Sequence, residues 1–386
     1  MTDPTLTLIV NAEVYDPEPR GLQQVLLGGE QVLAMDERID ISGAAVTIVD
    51  AQGALLVPGF VDALTHPCGG GGEGGFGNRT GEIGVDRFVR AGVTSPIGAL
   101  GTDSIARSLE VLYGTTLKLR AQGLDALMYT GAYRVPAPTL TGDIARDLTL
   151  LPAVIGVGEV AISDHRSAQP TAQELRRLAA DAQLGGILSG RGGTVMLHLG
   201  DGPGGLQPMQ AALEDSDLPG HAFYPTHVNR NSALLEQAIA FAREGGFVDI
   251  TASSTPELIA AGDIPPLTAL EQALAEGAPA SQLTLSSDAG GSLPVYVDGE
   301  LVGLTEAGPD VLLQTLQTAV AEAPDLLYPV LAALTCNPAA ALRLPGLGRV
   351  AVGGAATLLL LDRDNGELRE LCCRGRWLLR DGKLSD

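Results

Sequence analysis

Eight short runs rich in β-branched and aliphatic residues, with stretches of apolar residues at helical spacing between them, restrict this chain to a parallel α/β architecture. The strand-like runs are LLVPGFVDALTH, GVTSPIGAL, LDALMYTGAY, VIGVGEVAI, GTVMLHL, HAFYPTHV, GFVDITAS and LTLSSDAG. Stretches such as TAQELRRLAADAQLGGIL, SALLEQAIAFAREGG and PPLTALEQALAEG carry the helical pattern, and several end in glycine. Eight βα units in series predict a closed (β/α)8 TIM-like barrel rather than an open sheet.

Both ends of the chain read differently. Residues 1–57 alternate short apolar runs (LTLIV, QVLLGGEQVLAM, AVTIVDAQGALLVP) with Gly, Asp and Pro, and the segments GRVAVGGAATLLLLD and LRELCCRGRWLLRDGK look like strands and hairpins. The expected organisation is one small β domain from residues 1–57 with 346–386, flanking a barrel of residues 58–345.

Charge and cysteine usage narrow the setting. A formal net charge of −22 opposes binding to nucleic acid or to an anionic membrane surface. No apolar run approaches the length of a membrane span, and the first residues lack a basic region. The four cysteines, two of them adjacent at Cys372 and Cys373, do not read as a disulfide framework. A reducing, cytoplasmic setting is expected.

In a barrel of this kind the C-terminal ends of the strands carry the active site. Five such ends here bring candidate ligands: His66 in ALTHPCGGGGE, Glu159 in VGEVAISDHRS, His198 in VMLHLGDG, His227 in PTHVNRN and Asp288 in LSSDAGGS. A lone histidine is more often a satisfied core or surface residue. His198 and His227 on consecutive strands, with Glu159 on the strand before, instead make two imidazoles and a carboxylate, the donor set of a catalytic zinc site. Asp288 taken alone reads equally well as a turn cap or as a proton acceptor for the attacking water. Beside the other four strand ends the catalytic reading prevails.

The combination of PGFVD, the GGGGE loop, GTDS, TGAY, ISDHRS, PTHVNRN and SSD resembles the isoaspartyl (β-aspartyl) dipeptidase family of the amidohydrolase superfamily over essentially the whole chain. The resemblance implies a barrel with a small β-sandwich built from both chain ends, a homo-oligomer, and metal-activated water that hydrolyses the β-aspartyl amide of a dipeptide. It also implies substrate residues. Glu73 would hold the free α-amino group, and Arg166 and Arg230 would hold carboxylates, for which arginine is suited. Tyr133 would polarise the scissile carbonyl, Asp288 would shuttle the proton, and Thr102 and Ser292 would complete the pocket. Each has a plainer alternative, as surface ion pair, packing residue or flexible loop.

Two departures from the family pattern stand out. Where members carry His-x-His at the end of the first strand, this chain has Leu64-Thr65-His66. On strand four the usual carboxylated lysine is replaced by Glu159, and the only lysines, Lys118 and Lys383, lie elsewhere in the pattern. A carbamate bridge is therefore excluded, while the carboxylate of Glu159 keeps two oxygens and the same charge. The expected consequence is one firmly held Zn2+ at Glu159, His198 and His227. A second ion at His66, Glu159 and Asp288 would be weak, empty or completed by another group. Cys68 could offer a thiolate there, although a small buried residue is the favoured reading. His165 is expected to orient the pocket and His221 to be structural. The alternative activity is an amidohydrolase acting on another amide, such as an N-acyl amino acid or a cyclic amide. A non-catalytic ligand-binding protein would be the rival from another class.

Overall fold

The computed structural model describes residues 6–41, 45–214, 216–297 and 300–385. Eight parallel strands line the centre: β6 (Phe60–Thr65), β7 (Val93–Gly98), β8 (Leu127–Thr130), β9 (Val154–Ile162), β10 (Thr194–Leu199), β11 (Phe223–Thr226), β12 (Val248–Thr251) and β13 (Leu283–Ser286). Strands β6 to β11 are hydrogen-bonded in chain order, and β12 pairs with β13. Backbone bonds close the ring at both junctions, from Val228 N to Asp249 O (3.3 Å) and from His66 N to Ala289 O (2.6 Å). Nearly every residue of these strands is buried, the signature of a parallel sheet covered on both faces.

Helices alternate with the strands: α1 (Val85–Arg90), α2 (Leu109–Ala121), α3 (Ile144–Leu150), α4 (Ala172–Ser189), α5 (Gln207–Leu213), α6 (Ser232–Arg243), α7 (Pro256–Ala261) and α8 (Pro266–Ala275). Their starts are set by local chemistry. Thr171 and Glu174 form a reciprocal capping box on α4, and the Asn231 side chain accepts from Leu234 N at the start of α6. Ser108 caps α2, its side chain accepting from Val111 N, so that helix begins at Leu109. Helices α9 (Asp310–Glu322), α10 (Leu327–Leu334) and α11 (Cys336–Ala341) follow the barrel, after a separate hairpin of β14 (Ser292–Val297) and β15 (Glu300–Glu306). Among the described residues no helix is long and apolar enough to cross a membrane.

Strands from the two chain ends share one nine-stranded sheet. It contains β1 (Leu6–Tyr15), β2 (Pro19–Gly28), β3 (Gln31–Asp36), β4 (Val46–Asp50) and β5 (Leu55–Pro58), joined to β16 (Leu358–Leu361), β17 (Leu368–Cys373), β18 (Arg376–Arg380) and β19 (Lys383–Leu384). The junction is the antiparallel pair β5–β16, with Leu55 opposite Leu361. Two-residue alternation along β16 decides what it binds. Leu358 and Leu360 join a core with Ile9, Val25 and Leu56, whereas Leu359 and Leu361 face the barrel core with Phe60 and Phe88. The terminal sheet thus has its own interior and is also cemented to the outside of the barrel.

Candidate metal centre and substrate pocket

Glu159, near the C-terminal end of β9, is fully buried and stands between three histidines. Its Oε1 lies 2.5 Å from His198 Nδ1 and 3.1 Å from His227 Nε2, while Oε2 lies 3.5 Å from His66 Nε2. One donor atom each from Glu159, His198 and His227 lies within 4.8 Å of the others, the one such group among the described residues. Glu159 Oε2 is buried without a hydrogen-bond partner there. A buried carboxylate oxygen left this way is costly unless a cation satisfies it, so the residues fit a metal ion.

The histidines are held from behind. His227 has φ 61°, in the left-handed region uncommon for a residue other than glycine, and Thr251 Oγ1 sits 2.6 Å from its Nδ1. Burial, reinforced by repulsion from His198, pushes the His227 imidazole down to about 4, so it is neutral as a ligand must be. His198 stacks edge-on against His227 with ring centroids 4.5 Å apart. Its Nε2 lies 3.1 Å from Asp164 Oδ2.

His66 follows β6 directly and lies beside Asp288, with Nε2 and Oδ1 3.0 Å apart, and its Nδ1 lies 3.1 Å from Ala99 O. Burial works against a charge on His66, but the hydrogen bond and charge of Asp288, helped by Glu159, raise it to about 9. Asp288 also adopts a left-handed backbone (φ 53°), and its side chain is 17% exposed, the most open carboxylate of the centre. Gly290 makes this turn possible, since a Cβ there would meet His66 O at 2.3 Å and its φ is +80°. Leu64 packs in the barrel core with Tyr129 and Tyr224 and offers no ligand.

The cavity above the centre has a volume of about 230 Å3 and is lined by Glu73, Thr102, Tyr133, Arg166, Arg230 and Ser292 among others. Glu73 is gripped by Arg166 Nη1 (2.8 Å), Thr102 Oγ1 (3.2 Å) and Ser292 Oγ (2.9 Å). Burial opposes its ionisation, but the Glu73 backbone amide, Ser292 and Arg166 hold it below the usual carboxylate range. Its loop is anchored by Asn78 Nδ2 donating to Glu73 O (2.7 Å) and by the Arg79–Asp103 ion pair. Tyr133 OH lies 2.8 Å from His198 Nδ1, and burial pushes its phenol well above the ordinary range, leaving it protonated.

Arg166 is placed differently from the sequence-based expectation. Arg166, expected to face a substrate carboxylate, is already bound to Asp164 through Nε and Nη2 and to Glu73 through Nη1, because the turn after β9 brings those anions to it. Arg230 Nε is buried with no partner among the described residues. His165 lines the cavity with its side chain 82% exposed, and His221 lies in a short 3-10 turn (Gly220–Ala222) before β11. Cys68 packs with Leu100, Leu109 and Leu112, and burial raises its thiol to about 11, against a thiolate role.

Asp164, Thr251, Asn229 and Asp263 also belong to the site and were not singled out by sequence reasoning. Asn229 Nδ2 ties this wall together through Thr251 O (3.1 Å) and Ile264 O (2.9 Å). The VNRN motif and the SDHRS motif held two of these residues in view, but only the fold shows what they touch.

A β-aspartyl dipeptidase from the thermophilic keratin-degrading Fervidobacterium islandicum AW-1, solved in complex with β-Asp-Leu dipeptide, superposes with a TM-score of 0.91 at 39% identity over 99% of both chains. The chain belongs to the β-aspartyl dipeptidase family. A second structure of a β-aspartyl dipeptidase from that organism gives a TM-score of 0.88 at 36% identity, again over 99% of both chains. More distant structures, 13–20% identical with TM-scores of 0.62–0.65, share the fold; they include an enamidase described as a member of the amidohydrolase superfamily. No protein-family model matches the chain. The chain spans 16% and 39% of the lengths of two curated relatives that it matches, one of them a dihydroorotase of Elusimicrobium minutum that is 39% identical over 69 residues, 17% of this chain.

Proposed function

We propose that this β-aspartyl dipeptidase family member hydrolyses the β-aspartyl amide bond of dipeptides in a metal-dependent reaction. The observation that carries the reading is that His198 and His227, the two imidazoles of the cluster with Glu159, line the same cavity as the Glu73 carboxylate and the Arg166 and Arg230 guanidinium groups. A β-aspartyl dipeptide carries one ammonium and two carboxylates, the complement of that set.

Two imidazoles and a carboxylate suit zinc, which when bound there supplies Lewis acidity to polarise the amide and acidify water. Firm occupancy is assigned to Glu159, His198 and His227. A second ion at His66 and Asp288 would lack the further imidazole that Leu64 replaces, which leaves that position one donor short.

The remaining roles fall to the pocket's own groups. The substrate ammonium replaces Arg166 Nη1 on Glu73, and the released guanidinium edge takes the neighbouring α-carboxylate, so every charge keeps an opposite partner. Arg230, with its unpartnered Nε, takes the carboxylate of the leaving residue. Tyr133, kept protonated by burial, donates to the carbonyl oxygen as it gains negative charge. Asp288 accepts a proton from the attacking water and returns it to the amine of the departing residue.

Three substrates test this reading: β-Asp-Leu, α-Asp-Leu and N-succinyl-leucine, which lacks the amine. Cleavage of the first alone is expected. Equal kcat/KM on the succinyl compound would favour an amidohydrolase for N-acyl amino acids instead.

A further inference from the structure

The turn after β9 places Asp164 where two parts of the proposed machinery meet. Asp164 is 4% exposed. Its Oδ1 accepts from Arg166 N (2.7 Å) and Arg166 Nε (3.0 Å), and its Oδ2 accepts from Arg166 Nη2 (2.8 Å). The same Oδ2 lies 3.1 Å from His198 Nε2. The other ring nitrogen of His198, Nδ1, faces Glu159 Oε1 at 2.5 Å. A single carboxylate therefore holds the back of a candidate metal ligand and the fork of a candidate substrate-binding arginine.

The backbone around Asp164 is built to keep it there. Ser163, immediately before it, is left-handed (φ 51°), and Asp164 O accepts from Ser167 N (3.0 Å) and Gln169 Nε2 (2.9 Å). Gly200, after β10, packs so closely that a Cβ would lie 2.6 Å from Asp164 Cα. These contacts hold the carboxylate in register with His198, which sits two residues before Gly200 on the adjacent strand.

The geometry points to Asp164 as a positioning residue that fixes His198 with its proton on Nε2 and its lone pair on Nδ1, while presenting Arg166 to the substrate. A carboxylate is needed for this double task. Oδ2 must accept from His198 and from Arg166 at once, and an amide placed there offers a donor to one of them. A carboxylate behind a ligating imidazole also fixes the ring's orientation and raises its basicity. The assignment rests on the metal-dependent reading above.

The test pairs D164N with D164E and uses two readouts. Zinc affinity of the full-length protein is measured by competition with a chromophoric chelator, with no substrate present, and KM and kcat are then measured on β-Asp-Leu. For D164N the expected result is zinc affinity reduced about 10- to 100-fold, in metal-free protein that still unfolds cooperatively at a melting temperature lowered by the weakened hydrogen bonds to Arg166. KM should rise more than kcat falls, and D164E, which keeps the charge, should recover part of the zinc affinity. Zinc affinity of D164N within about twofold of the unmutated protein would overturn the assignment, as would D164E binding zinc no better than D164N. If D164N fails to fold, D164S is titrated in its place: zinc affinity within about twofold of the unmutated protein overturns the assignment, and a reduced value supports it. Because the zinc titration needs no substrate, an inert β-Asp-Leu would count against the proposed function and leave the role of Asp164 to be judged on metal affinity.

Discussion

Glu159 touches His198 with one carboxylate oxygen and His66 with the other, at 2.5 Å from Nδ1 and 3.5 Å from Nε2 respectively. The side chain that replaces the family's lysine therefore still spans the centre, although only its Oε1 face meets two imidazoles in ligand-like proximity.

Removing the charge of Glu159 is expected to cost metal. Glu159→Gln keeps the shape but weakens the oxygen donor, so metal retained after dialysis should fall at least about tenfold, read by elemental analysis. A fully metallated variant would show that Glu159 is not a ligand.

Tyr133→Phe deletes one hydroxyl at 2.8 Å from His198 Nδ1. Loss of one such donor to a developing oxyanion lowers kcat by about 100- to 1,000-fold. A kcat within a few-fold of the unmutated protein would assign Tyr133 to packing alone.

Arg230→Met should raise KM about 10- to 100-fold, the loss of a charge-assisted hydrogen bond, while the melting temperature stays close to that of the unmutated protein. The stability expectation follows from the unpartnered Nε: no internal hydrogen bond of that atom is lost. An unchanged KM would remove Arg230 from the carboxylate subsite.

The strand ends were legible because each carried a polar residue at the close of a buried apolar run, and Leu64 in place of a histidine was equally plain. The ion pair between Glu73 and Arg166 was not, because it joins positions 93 residues apart and depends on how two loops fold over the barrel mouth. Asp164 went unread for the same reason: its partner His198 is on the next strand, and sequence spacing says nothing about which side of a turn faces it. Among the elements, the eight strands and the capped helices α4 and α6 were visible in periodicity. The β14–β15 hairpin carried no motif that separated it from a loop.

Asp62 gives a prediction independent of activity. It is fully buried, accepts from Ser287 N (3.0 Å) and Ser287 Oγ (2.5 Å), and is pushed up to about 7, mainly by burial. Its unfolded value is about 3.9, so the native state binds this proton more tightly. The stability contributed by the protonated form is complete below about pH 4 and is lost as pH rises towards 7. Asp62→Asn cannot ionise. Urea unfolding should therefore show the variant gaining on the unmutated protein by roughly 1 kcal/mol or more between pH 5 and pH 8. A constant difference across that range would mean that Asp62 titrates normally.

The most direct test of the account is metal content per chain, by elemental analysis of protein purified without chelator, measured alongside turnover of β-Asp-Leu. The account predicts one divalent ion per chain and hydrolysis that is lost on chelation and restored by zinc. Hydrolysis by metal-free protein, or a chain that binds no metal at all, would contradict it.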